Sequence, residues 1–251
     1  MKMSQTAAVI TGGASGLGEA TARYFASQGA KVTLLDRDTE RGPKVATEIG
    51  GHFIETDVID EASVEAAIAQ AREKMGALNV AVNCAGIALG IKTTGREGPH
   101  PLSAFQKTID INLVGSFNIA RLAATAMAKE DHDDDGARGV IINTASVAAF
   151  DGQKGQVAYA ASKGGIVSMA LPMARDLAKD GIRVMTIAPG IFSTPMLRGL
   201  PQDVQDSLAA EVPNPARLGD PAEFGRTAAF IVEMGYLNGE VIRLDGALRM
   251  R

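Results

Sequence analysis

The sequence has 251 residues, of which 46% are apolar, and it contains 28 glycines and no tryptophan. This length and composition suit one large α/β domain with many tight turns. The net charge of −4 argues against a nucleic-acid-binding groove, because such a groove requires clustered basic residues. Since Cys84 is the only cysteine, no disulfide can form within the chain.

Residues 1–5 lead directly into an apolar run, with neither the apolar core of a secretory signal nor an Arg-rich transit segment. No apolar run approaches the ~18 residues that a membrane helix needs. The sequence therefore predicts a soluble, cytoplasmic protein that has no membrane partner and no nucleic-acid partner.

Strand and helix patterns alternate along the whole chain. Apolar runs predict strands at residues 7–11, 31–35, 52–55, 78–83, 140–144, 182–188 and 240–244. Helical periodicity predicts helices at residues 19–28, 39–49, 61–74, 102–128 and 155–179, with a kink at Pro172 and two further helical segments before the last strand. This alternation predicts an α/β fold of the Rossmann type, a doubly wound parallel sheet of seven strands with helices on both faces. Because no linker or repeat interrupts the pattern, residues 1–251 are assigned to a single domain, with a surface excursion at residues 87–101.

A glycine-rich motif, T-G-G-A-S-G-L-G, lies between the first predicted strand and the first predicted helix. Its residues Gly12, Gly16 and Gly18 would let the backbone approach a pyrophosphate, which the free N–H groups of the helix N-terminus would bind. The position between a strand and a helix favours a dinucleotide-binding loop, and a plain tight turn is the alternative.

Asp36 follows the second predicted strand, eighteen residues after Gly18. A carboxylate at this point accepts hydrogen bonds from the adenosine ribose hydroxyls and repels a 2′-phosphate, so it favours NAD over NADP. Arg37 complicates this interpretation, because an arginine can pair with a 2′-phosphate. Since Ser15 leaves the glycine-rich loop without a basic residue, the predicted cofactor is NAD. A solvated aspartate at a strand end is the alternative.

Three later strands end in residues that suit the same ligand. Asp57 and Val58 follow the third strand, where a carboxylate and its neighbouring backbone can hold adenine. The motif N-C-A-G at 83–86 ends the fourth strand, where small residues let a cofactor lie against the backbone. Pro189 follows the sixth strand, and Thr194 comes soon after it, within reach of a carboxamide.

Tyr159 and Lys163 are four residues apart, so a helix would place them on one face. A tyrosine with a pKa near ~10 is a weak base at neutral pH. An ammonium group ~5–6 Å away, at an effective dielectric constant of ~20, would favour the phenolate by about 3 kcal/mol. Ser146 lies thirteen residues before Tyr159 and follows a predicted strand, so its hydroxyl can hold a substrate oxygen. The Y-x-x-x-K pair also occurs by chance on solvated helices, and only the other motifs raise its significance.

In this order, the motifs resemble the short-chain dehydrogenase/reductase family in its NAD-preferring form, over residues 7–246. Longer stretches such as G-V-I-I-N-T-A-S-V-A-A-F and R-L-G-D-P-A-E resemble one branch of this family, which oxidises 3-hydroxyacyl-CoA and 17β-hydroxysteroids. The motif N-C-A-G departs from the family's commoner N-N-A-G but agrees with that branch.

The resemblance implies a role for each residue. Tyr159 would be the base in alcohol oxidation and the acid in carbonyl reduction. Lys163 would lower the pKa of Tyr159 and hold the nicotinamide ribose, while Ser146 would orient the substrate oxygen. Asn112, within I-N-L-V-G, would place a water that links Lys163 to solvent, and Gln153 would lie near the substrate. The residues implied to contact NAD are Gly12, Ser15, Gly16, Leu17, Gly18, Asp36, Asp57, Val58, Cys84, Ala85, Gly86, Tyr159, Lys163, Pro189, Phe192 and Thr194.

Two classes of function fit these motifs. One is an NAD-dependent dehydrogenase for 3-hydroxyacyl-CoA, with hydroxysteroids or other secondary alcohols as alternative substrates. The other is a non-catalytic nucleotide-binding scaffold, which predicts a broken catalytic set. Because all four members of that set are present, the sequence favours the enzyme; they are Asn112, Ser146, Tyr159 and Lys163. The acidic run at residues 130–139 fits no metal-ligand spacing, so no metal is predicted.

Residues 190–215 follow the carboxyl end of a strand, where ligands bind in open α/β sheets. A segment of this length often forms an active-site lid, and a surface helix packed on the sheet is the alternative. We expect the segment to close over an apolar acyl chain beside Ser146, Phe150 and Tyr159. The apolar residues available are Ile191, Phe192, Met196, Leu197 and Leu200, and the candidates to meet CoA phosphates are Lys92, Arg96, Lys154 and Arg198.

The family resemblance also implies a homotetramer. The predicted helices at residues 102–128 and 155–179 would pair across one two-fold axis, and the last strand would pair across another. The second of these helices carries more apolar residues than one sheet face needs, and a two-fold axis would make such a patch self-complementary.

Overall fold

Seven of the nine strands in the described part of the chain form one parallel sheet, in the order β3-β2-β1-β4-β7-β8-β9. The structure, a computed structural model, describes residues 1–96, 98–198 and 201–250, and only the backbone of Met196. The strands are β1 Ala7–Thr11, β2 Lys31–Asp36, β3 His52–Glu55, β4 Val80–Asn83, β5 Thr94–Gly95, β6 Gly98–Pro99, β7 Gly139–Thr144, β8 Ile182–Pro189 and β9 Val241–Leu244. The order reverses between β1 and β4, which is the point where open α/β sheets bind ligands.

Helices cover both faces of this sheet. They are α1 Gly16–Ser27, α2 Arg41–Glu48, α3 Glu61–Met75, α4 Leu102–Ile109, α5 Gly115–Met127, α6 Val157–Asp176, α7 Pro195–Arg198, α8 Gln202–Ala210 and α9 Pro221–Glu233. The predicted α/β fold with seven parallel strands is thus confirmed, and the sequence-based bounds differ from the observed ones by a few residues.

Three regions differ from the sequence-based expectation. The single helix expected over residues 102–128 is interrupted by a π-helical turn at Asp110–Val114. The excursion at residues 87–101 contains the short hairpin of β5 and β6. Among the described residues between β8 and β9 there are three helices, not two, because the short α7 precedes α8.

The core has two large layers, one on each face of the sheet. One layer packs the central strands against α3 and α5, with Ile119 and Met127 fully buried. The other packs them against α1 and α9, with Phe25 and Phe224 fully buried. Because both faces are covered, β1, β4, β7 and β8 are buried along their whole length, which explains their nearly continuous apolar sequences. Among the described residues, no helix is long and apolar enough to cross a membrane.

Candidate active site

A cleft of about 710 Å³ lies at the carboxyl ends of the parallel strands. Its lining includes every residue implied to contact NAD: Gly12, Ser15, Gly16, Leu17, Gly18, Asp36, Asp57, Val58, Cys84, Ala85, Gly86, Tyr159, Lys163, Pro189, Phe192 and Thr194. Ser146 lines the same cleft, whereas Asn112 lies behind it. The fold therefore brings these residues, from seven separate segments of the sequence, to one place.

The glycine-rich loop between β1 and α1 has a backbone that other residues could not adopt. Gly12 and Gly16 have φ values of +63° and +58°, in the left-handed region that favours glycine. A Cβ at Gly18 would lie 2.2 Å from the Gly12 carbonyl oxygen, so only glycine permits this approach of helix and strand. The loop leaves room for a phosphate group at the N-terminus of α1.

Asp36 lies at the end of β2 and closes one side of this loop. Its Oδ2 accepts a hydrogen bond of 2.9 Å from the Ala14 N–H, and its Oδ1 accepts one of 3.0 Å from the Asp38 N–H. Arg37 is largely exposed, and its Nη1 lies 3.5 Å from Asp57 Oδ2. The carboxylate of Asp36 therefore lines the cleft, while the neighbouring carboxylate of Asp57 forms an ion pair with Arg37.

Arg41 supports the loop from α2 and was not identified from the sequence. Its Nε donates to the Ala14 carbonyl, and its Nη2 donates to Glu19 Oε2 over 2.6 Å. Partial burial raises the pKa of Glu19, but its hydrogen bonds to Arg41 and Arg23 outweigh this effect and lower the pKa. No motif marks such a residue, because the contact joins two helices that the fold alone brings together.

Thr11 is a second residue that the sequence analysis missed. Its Oγ1 accepts hydrogen bonds of 3.1 Å from the N–H groups of both Cys84 and Ala85. The bonds hold the N-C-A-G turn beside the glycine-rich loop across the β1–β4 reversal. The only sequence signal was the position of Thr11, immediately before the glycines.

Asn112 lies in the π-helical turn and is fully buried. Its Oδ1 accepts from the Ile87 N–H over 2.8 Å, and its Nδ2 donates to the Ile87 carbonyl over 2.9 Å and to Ser162 Oγ over 3.0 Å. π-Helical turns occur frequently at functional sites. The side chain thus ties the turn to the chain after Gly86 and to α6, the helix that carries Tyr159 and Lys163.

Lys163 is buried on α6, and its Nζ donates to the Thr144 carbonyl over 2.7 Å. The same Nζ lies 5.7 Å from the centroid of the Tyr159 ring. Burial lowers the pKa of Lys163 to about 8, so the group is mostly charged at neutral pH. A Cβ at Gly86 would lie 3.7 Å from this Nζ, which shows how little space separates the N-C-A-G turn from the ammonium group.

Ser146 lies beside Tyr159 in the cleft, and its Oγ accepts from the Ala148 N–H over 3.1 Å. Burial raises the pKa of Tyr159, and the interaction with the Ser146 hydroxyl lowers it by less. The expectation that Lys163 brings this pKa below its ordinary value is therefore wrong for the protein chain by itself. Desolvation of the phenolate outweighs the favourable neighbours.

Cys84 agrees with the packing role expected for it. Burial raises the pKa of its thiol to about 11, and the Thr144 hydroxyl donates to its Sγ over 3.5 Å. A thiol with such a pKa is almost entirely protonated at neutral pH and is a poor nucleophile.

Gln153 was expected near the substrate. In the part of the chain that the structure describes, Gln156 lines the cleft at this point and Gln153 does not. The Gln153 N–H donates to Gln156 Oε1 over 3.0 Å, so the two residues form one turn at the start of α6.

The segment at 190–215 covers the cleft with part of its apolar first half. Ile191, Phe192 and Leu197 line the cleft. Phe150, expected beside the acyl chain, is instead half exposed and packs on Arg243. Leu200 and the Met196 side chain, also proposed for the acyl chain, lie outside the described residues. The four candidates for CoA phosphates, Lys92, Arg96, Lys154 and Arg198, are all exposed.

Met250 also lines the cleft, at the far end of the sequence. Nothing in the sequence connected this residue to the site.

Comparison with known proteins agrees with this geometry. The sequence model of the family described as short chain dehydrogenase matches residues 6–205. This chain belongs to the short-chain dehydrogenase family. It is therefore an oxidoreductase, and dehydrogenases of this kind generally use NAD(H).

Individual relatives resemble the chain over almost its whole length. It is 55% identical to the 3-hydroxyacyl-CoA dehydrogenase type-2 of Rattus norvegicus, over 97% of this chain and 95% of that protein. It is 56% identical to the Homo sapiens protein of the same name, over the same shares of the two chains. A crystal structure of 3-hydroxyacyl-CoA dehydrogenase type-2 from Mycobacterium avium superposes with a TM-score of 0.94 at 43% identity, covering 98% of this chain and 96% of that one. The recognition of the family from its motifs is thus confirmed.

Proposed function

We propose that this enzyme is an NAD-dependent 3-hydroxyacyl-CoA dehydrogenase, which interconverts a 3-hydroxyacyl-CoA and the 3-oxoacyl-CoA. The observation that carries this proposal is one cleft with two chemically distinct ends. At one end Tyr159 lies with Ser146 and Lys163, and at the other Asp36 adjoins the glycine-rich loop. The names of the relatives supply the substrate class.

The residues of the cleft fit a bound NAD. The backbone of Gly12 approaches Ala85 so closely that a Cβ there would lie 2.9 Å from the Ala85 N. Because Gly12 has no side chain, nothing from this residue obstructs the space between the two turns. The carboxylate of Asp36 lines the same cleft, where it would accept hydrogen bonds from the adenosine ribose hydroxyls and would repel a 2′-phosphate. When bound, NAD supplies the hydride acceptor at its nicotinamide ring and a positive charge near Tyr159.

Tyr159 is the group that moves the proton. In oxidation its phenolate removes the proton of the C3 hydroxyl while the C3–H bond breaks and the C3 carbonyl forms. In reduction the protonated phenol returns that proton to the developing alkoxide. Ser146 donates to the same substrate oxygen and so holds it within reach of the Tyr159 hydroxyl.

Lys163 and Asn112 support the proton transfer. The ammonium group favours the phenolate form of Tyr159 by its charge, and its bond to the Thr144 carbonyl fixes its position. Asn112 fixes the backbone beside Gly86 and the start of the next loop. In this position it can also orient a water that connects Lys163 to solvent.

A homotetramer is part of the proposal. The surface supports it, because large apolar side chains are exposed on the helices implied to pair across the first two-fold axis and also at the end of α9. Val114, Phe117 and Leu171 are about half exposed on the α5 and α6 surface, as are Phe230 and Met234 at the end of α9. Sedimentation equilibrium should give four times the chain mass at micromolar concentration, and a stable monomer would contradict the assignment.

The catalytic proposal is tested by the rise of absorbance at 340 nm after NAD is mixed with 3-hydroxybutyryl-CoA. Parallel reactions with NADP, with a 17β-hydroxysteroid and with a simple secondary alcohol measure selectivity. The proposal predicts the highest kcat/KM for NAD with the thioester. A higher kcat/KM for the steroid would mean that the substrate is a hydroxysteroid. If no alcohol gave NADH, the result would favour a nucleotide-binding scaffold.

A further inference from the structure

Arg243, on β9, joins three segments that surround the catalytic end of the cleft. Its Nη2 pairs with Asp151 Oδ2 over 2.6 Å and donates to the Leu248 carbonyl over 3.1 Å. Its Nε pairs with Asp245 Oδ2 over 2.8 Å. The guanidinium also lies 5.0 Å from the centroid of the Phe150 ring. A single side chain therefore connects the loop after Ser146, the last strand and residues 245–250, which we call the tail.

These contacts are formed away from bulk solvent. The side chains of Arg243 and Asp151 are 23% and 19% exposed, and that of Asp245 is 8% exposed. Partial burial lowers the pKa of Arg243, but hydrogen bonds to Asp151 and Asp245 outweigh it and raise the pKa, so the guanidinium stays charged. Removing one partner of such a pair leaves a poorly solvated charge, which costs more than the loss of an exposed pair.

Each connected segment leads to residues that line the cleft. Asp151 ends the short loop that begins at Ser146 and includes Val147 and Ala148, both of which line the cleft. The backbone of Asp245 packs against Gly190, where a Cβ would lie only 2.9 Å from the Asp245 Cα. Asp151 and Asp245, the two acidic partners of Arg243, therefore belong to the end of the cleft that holds Tyr159, not to the end that holds Asp36.

The tail is also tied to the segment at 190–215. The Asn214 N–H donates to the Gly246 carbonyl over 3.2 Å, and the Gly190 N–H donates to the Leu244 carbonyl over 2.9 Å. Leu248 is 1% exposed, which anchors the tail in the core, and two residues later Met250 lines the cleft. The position of Met250 therefore depends on the contacts that hold the tail.

We propose that Arg243 is a positioning residue that fastens the tail to the catalytic end of the cleft, so that Met250 forms a wall against the acyl chain of the substrate. This inference rests on the proposed function for the nature of the substrate. Met250 is unbranched and apolar, and such a side chain adapts its shape to an apolar ligand. The wall contacts carbons beyond C4 of the acyl chain and leaves the reacting C3 carbon to Ser146 and Tyr159.

The test compares Arg243→Met with Arg249→Met on the intact enzyme. Arg249 is a matched control because it also pairs with Asp245 and donates to the Leu248 carbonyl, but its contacts stay within the tail. KM and kcat are measured with 3-hydroxybutyryl-CoA and with 3-hydroxydecanoyl-CoA, together with the Kd for NAD. The loss of charge-assisted hydrogen bonds predicts a rise of about tenfold in KM for the longer substrate of Arg243→Met. Its KM for the short substrate and its Kd for NAD change less than about twofold, and Met250→Ala reproduces the same split.

Hydrogen exchange gives a readout that does not depend on the substrate. The Leu248 amide, bonded to the Asp245 carbonyl, should exchange faster in Arg243→Met than in Arg249→Met. If Arg243→Met does not fold, Asp151→Ala removes only the link to the loop after Ser146 and should show the same chain-length split at smaller size. Equal effects on both substrates, or unchanged exchange, would overturn the proposal. Failure of the wild type to oxidise any 3-hydroxyacyl-CoA would reject the proposed function, while the exchange result would still decide whether Arg243 holds the tail.

Discussion

The two ends of the cleft are built in different ways. At the cofactor end, the contacts are made mainly by backbone atoms and short side chains where strands end. Examples are the bonds that the Ala14 N–H donates to Asp36 and the Cys84 N–H donates to Thr11. At the substrate end, long side chains connect segments that are far apart in sequence, as Arg243 connects to Asp151 ninety-two residues away. The first end is fixed by the sheet, whereas the second depends on a few contacts between loops and the tail.

This difference predicts where substitutions will act. A change at the catalytic residues or the cofactor end should alter chemistry or cofactor choice for every substrate. A change in the segment at 190–215 or in the tail should alter how KM depends on substrate size and leave the Kd for NAD unaffected. Each experiment below either separates the two ends or shows that they act as one.

The largest effect is expected for Tyr159→Phe, at the catalytic end of the cleft. The ring still packs, but the only proton-transferring atom is lost, so kcat should fall by about 10²–10⁴-fold while the Kd for NAD stays nearly constant. Steady-state rates and calorimetric titration with NAD measure the two quantities. A variant that kept more than about a tenth of the wild-type kcat would exclude Tyr159 as the acid–base group.

The next largest effect is expected for Asp36→Ala at the cofactor end. Loss of charge-assisted hydrogen bonds to the ribose should weaken NAD binding about 10–100-fold, and NADP should become usable because Arg37 can then pair with its 2′-phosphate. The double variant with Arg37→Ala is the control and should lose the gain for NADP. Efficient use of NADP by the wild type would refute the assignment of Asp36.

A smaller effect is expected for Leu197→Ala at the substrate end. Removing an apolar contact should raise KM several-fold for a decanoyl substrate and little for 3-hydroxybutyryl-CoA, because uniform binding is lost. Val204→Ala is the matched control, since Val204 lies in the same segment but is exposed and does not line the cleft. If KM changed equally at every chain length, this segment would be scaffold and the acyl pocket would lie elsewhere.

The smallest effect is expected for Glu223→Gln at the start of α9, the helix that follows the segment at 190–215. Glu223 accepts from Arg217 and from the Asp220 N–H, and these bonds lower its pKa to about 2. Glu223→Gln should therefore lower stability by about 1 kcal/mol at pH 7, or the Tm by about 2–4 °C.

The pH dependence of this difference follows from the lowered pKa. The stabilisation by Glu223 is present above its ordinary pKa of 4.5 and is lost as the pH falls towards about 2, so the two Tm values should converge in acid. Glu233→Gln, at the exposed other end of α9, is the control for the loss of one carboxylate from this helix. A constant difference at all pH values would mean that the charge of Glu223 contributes nothing.

The same contrast explains how much the sequence could predict. Features that depend on local spacing could be predicted from the sequence: the seven strands, the glycine-rich loop, Asp36 and the Tyr159–Lys163 pair. Their place in the cleft followed from the rule that ligands bind at the carboxyl ends of parallel strands. The π-helical turn around Asn112 was missed, because its apolar sequence fits a continuous helix equally well. Arg41, Arg243 and Met250 were missed because only the folded chain brings them to their partners.

The pKa of Tyr159 was misjudged for a related reason. The attraction of a lysine one turn away can be calculated from spacing, but the cost of burying a phenolate depends on everything that surrounds it. In the structure this burial raises the pKa of Tyr159. We therefore expect the substrate and the bound cofactor to complete the environment in which Tyr159 ionises.

The most direct test of the central claim is the pH dependence of kcat/KM in both directions with one substrate pair, 3-hydroxybutyryl-CoA and acetoacetyl-CoA. If Tyr159 is the shared acid–base group, oxidation requires its deprotonated form and should become faster as the pH rises, while reduction requires the protonated form and should become slower. Because both reactions use the same proton on the same oxygen, the rise and the fall should move together, and Tyr159→Phe should abolish both. Two profiles with the same direction, or profiles that persist at reduced amplitude in Tyr159→Phe, would contradict the account.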